Sequence, residues 1–143
     1  MNRTVKKISV FVLVMAVVAV GGWYGRKAYK KSTEWNLLNQ ARHYVNDKDW
    51  RNTALCLQRV LQINPMSADA SRMMGDLLES GGSPAALSWR IRTAKLQPDN
   101  PTNYFAWAQT ALKNQELQSA IEALSSVDEK SKSTASYHKL AGA

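Results

Sequence analysis

One phrase of this sequence keeps returning. Asn52–Pro65 reads NTALCLQRVLQINP, Ala85–Pro98 reads AALSWRIRTAKLQP, and Ser119–Val127, SAIEALSSV, is a looser third copy. Each copy opens with a small residue (Thr53, Ala86, Ala120) and continues with a large apolar one (Leu57, Trp89, Leu124). A small or β-branched residue follows (Val60, Thr93, Val127). Pro65 and Pro98 close two of the copies and lie 33 residues apart. A self-similar period of about 34 residues restricts the chain to stacked helical units, each too small to bury its own apolar face.

The residues between the copies supply the other half of each unit. Trp35, Leu38, Ala41, Tyr44 and Val45 recur at helical spacing, and Asn46–Asp49 breaks that helix. Asp49 is placed to cap the next helix, which Asn64-Pro65 stops because proline has no N–H and clashes with the preceding turn. A second pair begins near Ser67, with the stripe Ala70, Met73, Met74, Leu77 and Leu78. Its turn is Ser80–Pro84, where Ser83 is predicted as N-cap, Pro84 as the first helical residue, and Gly82 as a replaceable turn glycine. A third pair opens at Asn100-Pro101 and carries Tyr104, Trp107, Ala108, Ala111 and Leu112 before a turn at Lys113–Glu116 and a partner helix from Leu117. Ala135–Gly142 reads as one further helix, either a short cap lying on the third pair or the first half of a unit that continues in a longer protein.

These residues resemble the tetratricopeptide repeat (TPR), with the pattern W-x2-L-G-x2-Y in one helix, A-x3-F in the next, and a final proline. The unit at 34–67 keeps Leu37, Ala41, Tyr44, Trp50, Thr53, Leu57, Val60 and Pro65. The unit at 68–100 keeps Met74-Gly75, Leu78, Ala86 and Pro98, but has Arg90 where a large apolar residue belongs; Trp89 is the expected substitute. The unit at 101–134 keeps Tyr104, Trp107-Ala108, Ala111, Leu117, Ala120, Leu124 and Val127 and has Lys132 in place of the proline. The resemblance implies an all-α helix–turn–helix solenoid over 32–143, about three repeats plus the helix at 135–143. Ala41, Gly75 and Ala108 would let paired backbones approach.

Net charge is +8, but the surplus is local. Seven of the 19 basic residues precede Glu34, leaving 12 against 11 acids. A nucleic-acid-binding domain would carry its excess on the folded part. Here the bases bracket Ile8–Tyr24, a run of 17 residues without charge, at the lower limit for a spanning helix. Trp23 and Tyr24 suit the headgroup level, followed by Arg26, Lys27, Lys30 and Lys31. Residues 1–31 therefore read as a membrane anchor. A cleaved signal peptide is the competing reading, but Ala19-Val20-Gly21 is a poor cleavage site followed by bulky aromatics. Gly21 and Gly25 form a small-x-x-x-small spacing of the kind that packs spans, or one met by chance. Basic residues nearly tie across the span, and the short leading tail favours repeats outside the cytoplasm.

No catalytic constellation is present. His43 and His138 stand apart, no phosphate-binding glycine motif occurs, and Cys56 is the one cysteine, which excludes an intrachain disulfide. The sequence thus predicts neither an enzyme nor a cofactor or metal site. Asp47, Asp49, Asp128 and Glu129 read as helix-end acids and the repeat tryptophans as core. Function rests on a surface. By the resemblance, the first helices of each pair line a groove for a protein or peptide, with Asn39, Arg42, Arg72, Asp76, Phe105, Gln109 and Lys113 facing it. A family subset clamps a terminal carboxylate; the matching places here read Leu38, Arg42, Met73, Thr102 and Ala106, so only Arg42 could serve and that clamp is rejected. The resulting expectation is a membrane-anchored adaptor in a bacterial inner membrane, acting in envelope assembly or secretion. The alternatives are a cytosol-facing import receptor and the non-catalytic start of a longer enzyme.

Overall fold

The computed structural model describes residues 29–142. The uncharged run 8–24, its Gly21/Gly25 spacing and the basic residues up to Lys27 lie outside the described residues. Among the described residues, no helix is long and apolar enough to cross a membrane. The chain divides into two compact units, Met1–Asn36 and Leu37–Ala143. In the first, residues 29–36 are helical, and Trp35 is 63% exposed rather than part of an apolar stripe.

The second unit is all helix and turn over its described residues. It runs α1 (37–46), α2 (Trp50–Ile63), α3 (Ala68–Ser80), α4 (Ala86–Leu96), α5 (Pro101–Lys113), α6 (Leu117–Ser125), α7 (Glu129–Lys132) and α8 (Ala135–Ala141). Three starts of the repeat helices are capped by a side-chain oxygen taking an N–H that the first turn leaves free, as α8 is by Thr134, which accepts from Tyr137 N–H at 3.4 Å. Asp49 accepts from Asn52 N–H at 3.0 Å, Ser67 from Ala70 at 3.4 Å, and Asn100 from Thr102 at 3.1 Å with Pro101 leading the helix. The fourth differs from expectation. Ser83 does not cap α4: Ser83–Ala85 form a turn in which Ala86 N–H meets Ser83 C=O at 3.1 Å, and α4 starts at Ala86 with no side-chain cap.

The turns within the pairs repeat more faithfully than the sequence does. Asp49 N–H donates to Tyr44 C=O (2.8 Å), Ser83 to Leu78 (2.9 Å) and Glu116 to Ala111 (2.8 Å). The residue before each donor is left-handed: Lys48 at φ 58°, Gly82 at φ 69° and Gln115 at φ 62°. This is a Schellman closure used three times. Gly82 is therefore not a replaceable loop glycine; it occupies a conformation that disfavours side chains.

Two apolar clusters stack along the unit. The first joins Leu38 and Ala41 of α1, Cys56, Leu57 and Val60 of α2, and Ala70, Met73 and Met74 of α3, with Trp89 packed on it. The second joins Ala94, Trp107, Ala108, Ala111, Ala120, Ala123 and Leu124, with Leu87 and Ile91 against it. Helix α4 lies between the clusters and feeds both, so its apolar residues surround it instead of forming one stripe. Trp107 is buried, and its indole N–H donates to Ser119 Oγ at 2.8 Å. Tyr137 and Leu140 of α8 pack on the second cluster while His138 and Lys139 are exposed.

Candidate functional site

A cleft of about 570 Å³ opens between α1 and α3, with the start of α2 at its edge. Arg42, Val45 and Asn46 come from α1, Trp50 is the first residue of α2, and Arg72, Met73, Asp76, Leu77 and Ser80 come from α3. Positions 42, 45 and 46 share a helix face, as do 72, 73, 76, 77 and 80, because i, i+3 and i+4 residues are neighbours on a helix surface. The arrangement combines an apolar surface with a charged rim. Trp50 is 47% exposed and Val45 38%. Both belong to residue types that the sequence placed in the core.

Four of the seven sequence-predicted groove residues gather here. Arg42, Arg72 and Asp76 line the cleft, and Asn39 accepts a hydrogen bond from Arg42 Nη1 at 2.8 Å. The other three, on α5, are elsewhere. Phe105 is half-buried against the second cluster, Gln109 is exposed, and the Lys113 ammonium holds Glu79 at 2.5 Å. The cleft residues missed from sequence are Val45, Asn46, Trp50, Met73, Leu77 and Ser80. An aromatic at the first position of a helix, ahead of the buried stripe, was the available signal for Trp50.

Behind the cleft runs a chain of charges. Arg90 pairs with Asp76 at 2.7 Å and with Glu79 at 2.6 Å, and Glu79 also meets Lys113 and the Thr110 hydroxyl at 3.2 Å. The Arg90 side chain is only 11% exposed, and its stem crosses Gly75, where an added Cβ would stand 3.4 Å from Cδ. Arginine thus fills the site where a large apolar residue was expected. Trp89 does not substitute for it: Trp89 packs on the first cluster, with the Arg92 guanidinium 5.4 Å from its ring centre. Burial favours loss of the Arg90 charge, but the hydrogen bonds it donates to Glu79 and Asp76 outweigh this and hold the guanidinium more firmly protonated than usual. Burial likewise pushes the Glu79 carboxyl up, and the Lys113 and Arg90 contacts overcome this to leave it below the ordinary carboxylate range.

Elsewhere the polar groups are structural. Asp49 serves its cap, and the Asn52 backbone N–H, then its amide, hold its carboxyl below the usual range. His43 pairs with Asp47 at 2.8 Å within one turn. Cys56 is buried and its thiol pushed up by that burial. Among the described residues, no three His, Cys, Asp or Glu side chains are placed to hold a metal ion.

No family model matches the sequence, and no curated protein matches it. Solved structures do match in fold. A chain of the CopN–Scc3 complex superposes with a TM-score of 0.63 at 18% identity, covering 75% of this chain and 64% of its own. The TPR2B domain of yeast Sti1, in its complex with pHsp70, gives 0.63 at 18% identity, over 78% of this chain and 98% of that one. The fold is tetratricopeptide-like. Ala41 and Ala108, the small residues expected at close helix approaches in the tetratricopeptide-like pairs, are fully buried, and Gly75 admits the Arg90 stem.

Proposed function

We propose that this chain is a protein-interaction adaptor, held at a membrane by residues 8–24, whose α1–α3 cleft receives a segment of a partner protein. The observation that carries the reading is the cleft: an exposed tryptophan and aliphatic side chains between helices, rimmed by arginines, with no cluster of reactive groups at hand. Clefts of a few hundred cubic ångströms, mostly apolar with a few polar groups at the edge, are the usual shape of a binding site. The two solved structures named above are complexes, CopN–Scc3 and the Sti1 domain with pHsp70, which supports a binding role. The basic residues on both sides of 8–24 support an anchor, and the short basic tail supports repeats facing away from the cytoplasm, in a bacterial inner membrane where envelope assembly or secretion would supply partners.

A photo-crosslinking residue at Val45, exposed on the cleft wall, tests the binding reading in native membranes. It should capture a discrete partner that the same residue at exposed Arg59, outside the cleft, does not. Equal capture at both positions would refute it. Alkaline carbonate extraction tests the anchor separately: the intact chain should stay with the membrane pellet, and release into the soluble fraction would refute that part alone.

A further inference from the structure

We infer that the cleft selects a partner segment in which a bulky apolar side chain lies within one helical turn of an internal aspartate or glutamate, read by Arg42. This rests on the cleft being the binding site. The charges of the rim lead to it. Arg72 lies 3.4 Å from Asp69 and 4.0 Å from Asp76, and Asp76 is also held by Arg90. Glu79 is shared between Arg90 and Lys113. Taken together, Arg72, Arg90 and Lys113 are balanced by Asp69, Asp76 and Glu79. Arg42 is what remains: among the described residues its guanidinium meets no carboxylate and touches only the neutral amide of Asn39. The one uncompensated charge of the cleft is therefore positive, and it sits beside the apolar surface of Val45, Trp50, Met73 and Leu77.

A guanidinium offers a planar fork that a carboxylate fills with two parallel hydrogen bonds. A single fork is filled by one side-chain carboxylate, and the places that would clamp a chain terminus, Leu38, Met73, Thr102 and Ala106, offer no second cation. Trp50, half open to solvent, is the large amphipathic surface on which an apolar anchor would gain most. The chain's own leading residues fit poorly, since Arg3, Lys6, Lys7, Arg26, Lys27, Lys30 and Lys31 would bring like charge to Arg42.

The experiment selects random dodecapeptides, displayed internally, against the full chain in mild detergent. The strongest are then synthesised with both ends capped. Enriched sequences should pair an aromatic or large aliphatic residue with Asp or Glu within about four positions, the reach of one turn. Binding should weaken roughly tenfold or more on Trp50→Ala and on Arg42→Glu, and changing the peptide's acid to lysine should restore affinity to the Arg42→Glu protein. Arg51→Glu, on the same helix as Trp50 but outside the cleft, should leave it unchanged. Peptides that lose affinity on Trp50→Ala yet show no acidic preference and ignore Arg42→Glu would overturn the inference and leave the cleft as a binding site. Affinity that appears only with a free C-terminus would also overturn it. Binders indifferent to both substitutions, or none at all, would remove the cleft itself from consideration.

Discussion

Arg90→Met tests whether the buried charge chain holds the second and third pairs together. Methionine keeps an unbranched stem across Gly75 but removes the guanidinium. Breaking a fully buried pair by deleting one partner costs about 3–5 kcal/mol. Three features of this site lower that figure. Asp76 is 51% exposed and regains water; Glu79, at 19%, keeps Lys113 and Thr110; and Arg90 Nε, which is buried without a partner, ceases to be a cost. The expected loss is about 2 kcal/mol, against about 3 for Arg90→Ala, which also empties the space over Gly75. Glu79→Leu alone should cost a similar amount, because it leaves the largely buried Arg90 with Asp76 alone. Combining Arg90→Met with Glu79→Leu should cost clearly less than the sum, with about 1–2 kcal/mol of coupling between contacting charges. Thr110 stays satisfied in the double variant, since its hydroxyl also donates to Ala106 C=O at 2.9 Å. Urea titrations followed by tryptophan fluorescence would measure all four proteins. A neutral Arg90→Met, or strictly additive losses, would show that the charges lie near one another without holding anything.

Four further outcomes are expected. Gly75→Leu should destabilise by about 1–3 kcal/mol by driving the Arg90 stem off the helix, visible as a lower melting temperature. Gly82→Ala should cost about 1 kcal/mol, because a side chain at φ 69° is strained even where nothing obstructs it; an unchanged melting temperature would contradict the left-handed turn. Lys48→Gly and Gln115→Gly should each stabilise by a few tenths to about 1 kcal/mol at the equivalent places, and a loss on thermal denaturation would count against the shared turn geometry. Glu79 and Asp49 both have folded-state carboxyl pKa values below their unfolded ones, so the stability they give is present above the unfolded values and is lost as pH falls through the folded ones. Melting temperature should therefore drop below the ordinary carboxylate range, about pH 4, and Glu79→Gln should flatten part of that slope.

What could be read from the sequence was local. Asp49 and Asn100 cap helices through bonds to residues three and two positions ahead, so type and spacing were enough to place them, whereas Ser67 was read only as the start of a unit. Arg42, Arg72 and Asp76 followed from helical spacing within a resembled repeat. Arg90 did not, because its partners Asp76 and Glu79 lie on a different helix and only the packed pair brings them near. Ser83 misled because a serine before proline suits a turn as well as a cap. Val45 and Trp50 were assigned to the interior by hydrophobicity, which says how much a side chain gains from burial and not whether a neighbour exists to bury it. Phe105 went the other way, placed on the groove by register and drawn in by the second cluster.

Lys113, Glu79 and Arg90 cross the seam where the two apolar clusters meet at α4. Apolar burial is non-directional, whereas the three ion pairs are oriented, charge-assisted hydrogen bonds. The polar chain thus ties α3 and α4 of the second pair to α5 of the third. Its outer end, Lys113, is 56% exposed, and its inner branch ends at Asp76 on the wall of the cleft. The chain of ion pairs therefore begins in solvent at Lys113 and ends on the cleft wall, so the second and third pairs are joined by polar side chains as well as by apolar contact.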